Sequence, residues 1–323
     1  MADSSAGIAL PDNEGASQPR RTFEPIARNR PSKGTGPRFK IVVFNAKGGK
    51  HLDAIVDHLS RPPLAGAAVI LLCELDWRLK RSGMSEVASE LAERLSMSFA
   101  FAPEFGFPRR DGITSFLGNA ILSSEPLFEV KAVPITPLYD WTRRHPGGIR
   151  DVRAIGARNA LIATINLNRT RITLGVIHLE RLTGPRGRAS LIVELLAAIP
   201  RSGCAIVGGD FNSATANLRG PLQFARLAVQ MLREPRRLRR PEIHEPLFDE
   251  LKRAGFTLDS ANAPLAPTFK LFTAMPRFMR PKLDWIAVRN VRPVPGSACV
   301  VQATRSFGRS ASDHDFIACE VEL

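Results

Sequence analysis

The chain has 323 residues, of which 44% are hydrophobic and 24% are charged, so it can bury a core of ordinary size and is neither wholly disordered nor fibrous. Its 45 Lys and Arg residues outnumber its 31 Asp and Glu residues, and the formal net charge of +14 favours a polyanionic partner such as nucleic acid or an acidic lipid surface. A solvated basic exterior with no such partner is the alternative interpretation.

The beginning of the chain differs in composition from the rest. Residues 1–37 are rich in Ser, Gly, Pro, Asn and Arg and poor in large apolar side chains. Such a segment cannot bury enough surface to offset its ordering entropy, so we predict a flexible basic tail over residues 1–37 and a single domain over residues 38–323. The tail carries no long apolar stretch of the kind that marks a secretory signal.

The cysteines and the apolar runs bear on the compartment. The four cysteines lie in or beside apolar runs and form no CxxC pair, which indicates buried reduced thiols rather than a zinc site. The longest apolar run, residues 65–73, has nine residues, whereas a membrane-spanning helix needs about twenty. We therefore expect a cytoplasmic protein without a transmembrane segment, and we expect it to be a monomer.

Apolar periodicity predicts the order β-α-β-α-β for the first hundred residues. FKIVVFN at 39–45 and AAVILLCE at 67–74 are short apolar runs typical of buried strands. Apolar side chains spaced for one face of a helix occur over 52–59 and again over 84–95. This alternation is typical of α/β architecture.

The rest of the chain has more strands. Four apolar runs with short polar breaks predict consecutive strands in an antiparallel meander, namely SFLGNAILS, LFEVKAVPI, ARNALIATINL and RITLGVIHLE. A helical stripe over 191–199 is followed by CAIVGGDFN, which predicts a strand running into a glycine-marked loop. Helices are expected around 219–233 and 244–254, and further strands in KLDWIAVR, SACVVQA and DFIACEVEL. Strands flanked by helices favour two stacked sheets covered by helices.

Polar residues stand where several of these apolar strands stop. They are Asn45, Glu74, His178, Asp210, Asn212, Asp284, Asp313 and His314. Taken singly, each has an ordinary structural explanation, such as a turn, a cap, a salt bridge or a buried core histidine. Taken together, carboxylates, amides and histidines at strand ends suit one cleft that holds a hard divalent cation with oxygen ligands and transfers protons.

The order of these landmarks resembles a known family. Seven short segments occur in sequence, namely FN at 44–45, CELD at 73–76, GNAILS at 118–123, HLE at 178–180, GGDFNS at 208–213, KLDWI at 282–286 and SDHDFI at 312–317. This series resembles the endonuclease/exonuclease/phosphatase superfamily, which includes deoxyribonuclease I, abasic-site endonucleases, neutral sphingomyelinases and inositol-polyphosphate phosphatases. The resemblance covers residues 38–323, with Phe44 where the family often has Trp and Cys73 where it often has Gln.

The resemblance implies a fold and a metal site. The fold would be an α/β four-layer α-β-β-α sandwich, in which two mixed and mostly antiparallel sheets pack face to face with helices outside. Residues 38–323 would be the catalytic domain. Glu74 would be the main ligand of Mg²⁺, with Mn²⁺ as a substitute, and Asn45 and Asp313 would lie beside it. One and two bound cations are both compatible with this set.

The resemblance also implies catalytic roles. Asp210 would position or deprotonate the attacking water, and Asn212 would orient the phosphate. His314 would contact the phosphoryl oxygen and be held by Asp284. His178 would be the second histidine of the deoxyribonuclease I and sphingomyelinase branches, able to protonate the leaving oxygen. An arginine is expected before the strand that leads to this histidine, and Arg158 is preferred to Arg153.

The implied activity is a magnesium-dependent phosphoesterase that hydrolyses phosphodiester bonds, with a nuclease acting on DNA or RNA favoured. A dense basic segment supports a nucleic-acid partner, namely Arg226, Arg233, Arg236, Arg237, Arg239 and Arg240. Arg277, Arg280 and Lys282 precede Asp284 and are candidate substrate-binding residues. One alternative is a phosphodiesterase or phosphatase for lipid head groups or small phosphorylated metabolites, with FTAMPRFM at 272–279 as the candidate contact to an acidic lipid surface. The other is a noncatalytic phosphate-binding module.

Overall fold

The structure is a computed structural model that describes residues 22–109, 112–141, 154–216, 220–272, 275–305 and 309–323. Most of the predicted tail, residues 1–21, lies outside the described residues. The predicted tail boundary at residue 37 differs from the structure, because Ile26–Arg28 forms a strand at the edge of a sheet. Apolar contact explains the difference: the ring of Phe23 packs on that of Phe116, with centroids 5.1 Å apart, so a few side chains suffice to order this segment.

The described residues form fourteen strands and five α-helices. The strands are β1 (Ile26–Arg28), β2 (Arg38–Gly48), β3 (Ala67–Trp77), β4 (Ser98–Arg109), β5 (Gly112–Ser123), β6 (Phe128–Pro134), β7 (Ile155–Gly156), β8 (Asn159–Leu167), β9 (Thr170–His178), β10 (Cys204–Asp210), β11 (Asp284–Arg289), β12 (Arg292–Pro293), β13 (Cys299–Val301) and β14 (Phe316–Glu322). The helices are α1 (Leu52–Leu59), α2 (Val87–Arg94), α3 (Pro185–Ala198), α4 (Pro221–Arg233) and α5 (Leu247–Arg253).

The strands form two sheets. The larger sheet has the order β1-β4-β5-β3-β2-β14-β12, with β13 paired to β14 and β7 paired to β4. The smaller sheet has the order β11-β10-β9-β8-β6. The pairs β2–β3 and β9–β10 are parallel, and the other described pairs are antiparallel.

Three apolar cores hold four layers together. One core lies between the sheets, where Val43 and Leu71 of the larger sheet meet residues such as Val176 of the smaller one. A second core lies between the larger sheet and helices α1 and α2, and a third lies between the smaller sheet and helices α3 and α5. Alternate side chains of each strand enter the two cores on either side of it. This is the predicted α-β-β-α sandwich, and the predicted fold class is confirmed.

The strand predictions differ from the structure in two places. The predicted meander holds for β6, β8 and β9, but the first run of that series belongs to β5, which pairs with β3 and β4 in the other sheet. The predicted glycine-marked loop after residue 207 is wrong, because Gly208 and Gly209 are both in β10. A Cβ at Gly208 would lie 2.7 Å from Cγ2 of Val43, so the sheets meet too closely there for a larger residue.

All four cysteines are free, with Cys73 and Cys319 buried and Cys204 and Cys299 partly buried. In the described parts of the chain, no helix has the length and apolar character needed to cross a membrane.

Candidate active site

One edge of the two sheets collects the polar strand ends. Strands β2, β3, β9 and β10 end at this edge, whereas β11 and β14 begin there because they run antiparallel to their neighbours. In the smaller sheet, Asp210 is the register partner of His178 on one side and of Asp284 on the other. Strand pairing alone therefore places His178, Asp210 and Asp284, which are distant in the sequence, side by side.

Two bulges in the larger sheet expose further polar side chains at this edge. The pairing of β2 with β3 shifts register between Asn45 and Gly48, and the pairing of β3 with β5 shifts between Leu72 and Leu75. Lys47 and Glu74 lie within these shifts and have positive φ angles of 49° and 53°. A bulge turns one side chain out of the regular alternation, so both residues avoid the core that their strands otherwise enter.

Asp210 is at the centre of the cluster and is 2% exposed. Its Oδ1 accepts the backbone N–H of Asn212 at 2.9 Å, and its Oδ2 accepts Nδ2 of Asn45 at 3.1 Å. The same Oδ2 is 3.4 Å from Nε2 of His178 and 3.6 Å from Nε2 of His314. Burial raises the pKa of Asp210 to about 7, although the charge of His314 opposes this shift. A carboxylate with such a pKa can accept a proton near neutral pH.

His314 lies between two carboxylates. Its Nδ1 is 2.8 Å from Oδ2 of Asp284, and its ring packs edge-on against Phe269 with centroids 4.9 Å apart. Burial alone would lower the pKa of His314, but the charges of Asp284 and Asp210 raise it to about 10. His314 is therefore an imidazolium at neutral pH, suited to stabilise negative charge on a phosphoryl oxygen.

His178 has the opposite protonation state. Nη1 of Arg158 lies 2.8 Å from both Nδ1 of His178 and Oε2 of Glu104, so Arg158 donates a hydrogen bond to each. Burial and the positive charge of Arg158 lower the pKa of His178 well below its usual value. His178 is thus neutral, with its proton on Nε2 facing Asp210. The expectation that His178 protonates the leaving oxygen does not fit this geometry, because a neutral imidazole is a hydrogen-bond donor but a very weak acid.

The three predicted metal ligands occupy different environments. Glu74 has a side chain that is 21% exposed, with Oε1 3.7 Å from Nδ1 of His178. Asn45 directs its amide nitrogen to Asp210 and its Oδ1 to the backbone N–H of Lys47. Oδ2 of Asp313 is 2.6 Å from Nζ of Lys47. Although burial opposes it, the nearby His314 and Lys47 lower the pKa of Asp313, which is therefore ionised.

A different trio has the spacing of a metal site. Ligand atoms of Asp210, Asp284 and His314 lie within 4.8 Å of one another. Within this trio, Nδ1 of His314 is 2.8 Å from Oδ2 of Asp284 and its Nε2 is 3.6 Å from Oδ2 of Asp210, so the imidazole lies between the two carboxylates. Glu74 is the better candidate for a divalent ion, because in the described part of the chain its carboxylate accepts no hydrogen bond and is partly exposed.

The other predicted site residues have diverse positions. Asn212 has a positive φ of 47°, and its Nδ2 donates to the carbonyl of Leu179 at 2.9 Å, so its amide nitrogen ties two strand ends together. Lys282 is only 5% exposed, with Nζ 2.9 Å from the carbonyl of Ala263 and 4.1 Å from the ring centre of Trp285. Burial lowers the pKa of Lys282 to about 8. This buried position argues against the predicted substrate contact.

The remaining basic candidates are more exposed. Arg277 is exposed in a short 3₁₀ turn, and Nε of the half-buried Arg280 donates to the carbonyl of Met275 at 2.8 Å. Within the basic segment 226–240, Arg237 is half-buried and its guanidinium contacts Glu234, whereas other arginines face solvent. The exposed ones are Arg226, Arg233, Arg236 and Arg240. Arg153, the alternative to Arg158, lies outside the described residues.

Sequence reasoning missed three residues that shape the site. Glu104 is buried in β4 and forms an ion pair with Arg158. The sequence feature that could have indicated this residue is a single carboxylate within the otherwise apolar segment FAPEF. Lys47 follows Asn45 by two residues, but nothing in the local pattern indicated its pairing. Oγ1 of Thr268 accepts the backbone N–H groups of Leu283 and Asp284 at 2.9 and 3.1 Å, which fixes the start of β11.

Comparison with known proteins bears on this geometry. A family model described as "Endonuclease/Exonuclease/phosphatase family" matches residues 42–314. The match includes every predicted catalytic and metal-binding residue, from Asn45 to His314. No curated protein matches this chain.

Solved structures share the fold at low sequence identity. The structure of D. rerio TDP2 complexed with single-strand DNA product has 17% identity and a TM-score of 0.52, covering 88% of this chain and 99% of that one. The 3′-5′ exonuclease NExo from Neisseria meningitidis has 16% identity and a TM-score of 0.54, with 88% and 100% coverage. The human Nocturnin catalytic domain with bound sulfate has 14% identity and a TM-score of 0.54, with 95% and 99% coverage.

Proposed function

Because the chain belongs to the endonuclease/exonuclease/phosphatase family, we propose that it is a magnesium-dependent phosphodiesterase and that its substrate is DNA or RNA. The observation that carries this proposal is the geometry of one cluster, in which Oδ2 of Asp210 lies 3.4 Å from Nε2 of His178 and 3.6 Å from Nε2 of His314. Asp210, with a pKa raised to about 7, lies between a neutral His178 and a cationic His314 whose pKa is raised to about 10. A base that takes the proton of water and a cationic donor beside the phosphoryl oxygen both accelerate phosphodiester hydrolysis.

A divalent cation fits beside this cluster. Glu74 offers a partly exposed carboxylate that points toward His178, and oxygen ligands of this kind are those that Mg²⁺ and Mn²⁺ prefer. Glu74 would hold the ion, with Asn45 and Asp313 as neighbouring oxygen donors. When bound, the ion supplies Lewis-acid stabilisation of the phosphoryl oxygens.

The protein's own residues account for the remaining steps. Asp210 takes a proton from the attacking water, with its Oδ1 held by the N–H of Asn212 and its Oδ2 lying 3.4 and 3.6 Å from Nε2 of His178 and of His314. His314 donates a hydrogen bond to the developing negative charge, and Asp284 keeps it charged and oriented. The N–H on Nε2 of His178 faces Oδ2 of Asp210 at 3.4 Å, since Arg158 fixes its tautomer, and the leaving oxygen takes its proton from solvent as the phosphorus–oxygen bond breaks. Fixed donors of this type are typically worth about 100- to 1,000-fold in rate each.

Charge favours nucleic acid as the substrate. The net charge of +14 and the exposed arginines of the segment 226–240 would attract a polyphosphate backbone, and binding would weaken steeply with added salt. NExo is a 3′-5′ exonuclease and TDP2 was solved with a single-strand DNA product, so nucleic-acid linkages are the first candidates for a chain of the same fold.

A lipid phosphodiester is the second candidate. Leu271, Phe272 and Phe278 are 68%, 55% and 59% exposed, and Arg277 lies beside Phe278. The backbone N–H of Lys270 donates to the carbonyl of Asp313, so this apolar surface begins next to the cluster. Exposed apolar side chains beside basic ones are typical of contact with an acidic membrane surface.

A substrate panel tests the proposal. Supercoiled DNA, RNA, sphingomyelin, phosphoinositides and an aryl phosphodiester are incubated with the purified protein in Mg²⁺ or EDTA, at about 50 mM and about 200 mM salt. We expect DNA or RNA cleavage that needs Mg²⁺ and is lost at the higher salt. Glu74→Gln is expected to raise the Mg²⁺ concentration that gives half-maximal cleavage. Glu93→Gln, on an exposed helix face, is expected to leave that concentration unchanged. Lipid hydrolysis without DNA or RNA cleavage would replace nucleic acid with the second candidate, and no hydrolysis would contradict the proposed activity.

A further inference from the structure

Lys47 neutralises a carboxylate of the candidate cation site. Its Nζ is 2.6 Å from Oδ2 of Asp313. The second oxygen of Asp313, Oδ1, is 3.4 Å from the hydroxyl of Ser312. Oδ2 therefore has a donor from the protein itself, whereas the one proton of the Ser312 hydroxyl goes to the carbonyl of Asn45. Glu74 differs, since in the described part of the chain no side chain or backbone group donates to its carboxylate.

The backbone holds Lys47 in this place. Lys47 lies in the bulge between Asn45 and Gly48, with a positive φ of 49°, and its N–H donates to Oδ1 of Asn45 at 3.0 Å. The hydroxyl of Ser312 donates to the carbonyl of Asn45 at 2.8 Å. These bonds join the end of β2 to the segment carrying Asp313, so the stem of Lys47 starts within reach of that carboxylate.

Exposure makes the pair displaceable. The side chains of Lys47 and Asp313 are 51% and 20% exposed, so solvent screens their attraction and the pair is weak. A divalent cation has twice the charge of an ammonium and prefers the same carboxylate oxygens. The ammonium of Lys47 and a divalent cation cannot both bind Oδ2 of Asp313, so each weakens the binding of the other.

We propose that Lys47 competes with a divalent cation for Oδ2 of Asp313, so that Glu74 holds the cation and Lys47 must leave Oδ2 before that oxygen becomes a ligand. This inference rests on the proposed function, because it presupposes that Glu74 and Asp313 face the cation. Lys47 then weakens the binding of a divalent cation at this site. Its removal strengthens binding, whereas loss of an ordinary structural ion pair would not.

Calorimetric titration of the full chain with Mn²⁺ tests the proposal. Lys47→Met keeps the length of the side chain without its charge, and we expect about three- to tenfold tighter Mn²⁺ binding, in line with the weakness of exposed ion pairs. Lys47→Arg keeps the charge and is expected to bind like the wild type. Lys50→Met is the matched control, because Lys50 is an exposed lysine near enough to Asp313 to interact with its charge and it forms no ion pair with it in the described structure. We expect a change of less than about twofold for this control.

A second background isolates the Asp313 contact. With Asp313→Asn already present, Lys47→Met should give no further gain, because the two residues act through one contact. Equal affinity in wild type and Lys47→Met, an equal gain in Lys50→Met, or a gain that persists with Asp313→Asn would each overturn the proposal. Thermal melting of every variant without Mn²⁺ checks that the fold is retained.

The same titration separates this inference from the proposed function. If neither the wild type nor Lys47→Met binds Mn²⁺, the metal dependence itself is wrong and this inference is wrong with it. If the wild type binds Mn²⁺ and Glu74→Gln does not, but Lys47→Met matches the wild type, the cation site stands and only the role of Lys47 is wrong.

Discussion

The buried pair of Glu104 and Arg158 gives a sharp stability prediction. Nη1 of Arg158 is 2.8 Å from Oε2 of Glu104, and the two side chains are 12% and 0% exposed. Glu104→Gln removes one charge without changing the shape of the side chain. It leaves the Arg158 guanidinium buried without its closest counter-charge, and that guanidinium also fixes the tautomer of His178.

The magnitude follows from burial. An exposed ion pair contributes about 0–1 kcal/mol, whereas removing one partner of a buried pair costs about 3–5 kcal/mol. Glu180 and Glu74 still interact with the charge of Arg158, so we expect the lower end, about 3 kcal/mol. A domain with a free energy of unfolding of about 5–15 kcal/mol would remain folded. The double variant Glu104→Gln, Arg158→Met should cost less than the sum of its single variants, because no buried charge of the pair is left.

Urea unfolding followed by circular dichroism measures the free energy of unfolding of the wild type, the two single variants and the double variant. The dependence of this free energy on urea concentration should be the same for all four proteins. The matched control is Glu129→Gln, since Glu129 pairs with Arg171 on the surface, where both side chains are 61% exposed. A loss of less than about 1 kcal/mol in Glu104→Gln would refute the reasoning. Strict additivity in the double variant would do the same.

Three further predictions concern catalysis and packing. Asp210→Asn and His314→Gln should each lower the turnover of an aryl phosphodiester by at least about 100-fold while circular dichroism is unchanged, and near-wild-type turnover in either would contradict its role. Because Asp210 must be ionised to act as a base and its pKa is raised to about 7, the hydrolysis rate should rise as pH increases through 7 and then level off; a flat profile across this range would contradict the assignment. Gly208→Ala should cost about 1–3 kcal/mol in chemical unfolding, since its Cβ would lie 2.7 Å from Cγ2 of Val43, and an effect no larger than that of Gly36→Ala, where nothing lies within 4 Å, would contradict the packing argument.

The strand-end residues were predictable because local sequence determines where a strand stops. Apolar runs ending at His178 and Asp210 give the ends of β9 and β10, and the parallel pairing of these strands brings the two ends together. The predicted ends at Asn45 and Glu74 are wrong, because β2 continues to Gly48 and β3 to Trp77 through their bulges. Asp284 joins them because β11 is antiparallel to β10 and so begins where β10 ends. Alternation and chain order thus contain enough information for the fold class and for the location of the candidate site.

The pairings within the site were not predictable in this way. The contact between Lys47 and Asp313 joins residues 266 positions apart and depends on a bulge, which requires knowledge of the register between strands. The neutral state of His178 likewise depends on Arg158, whose orientation is set by Glu104 in the other sheet. The burial of Lys282 against Trp285 depends on how a surface segment folds back, which charge and spacing in the sequence do not specify.

The most direct test of the central claim is the hydrolysis of bis(4-nitrophenyl) phosphate by the purified wild type and by His314→Ala, each in Mg²⁺ and in EDTA. This small diester needs neither the basic segment nor the exposed apolar surface, so it reports on the cluster alone. We predict hydrolysis by the wild type in Mg²⁺, none above background in EDTA, and a loss of at least about 100-fold in the variant. Equal rates for the two proteins, or a wild-type rate that EDTA does not change, would contradict the claim that this cluster cleaves phosphodiesters with a divalent cation.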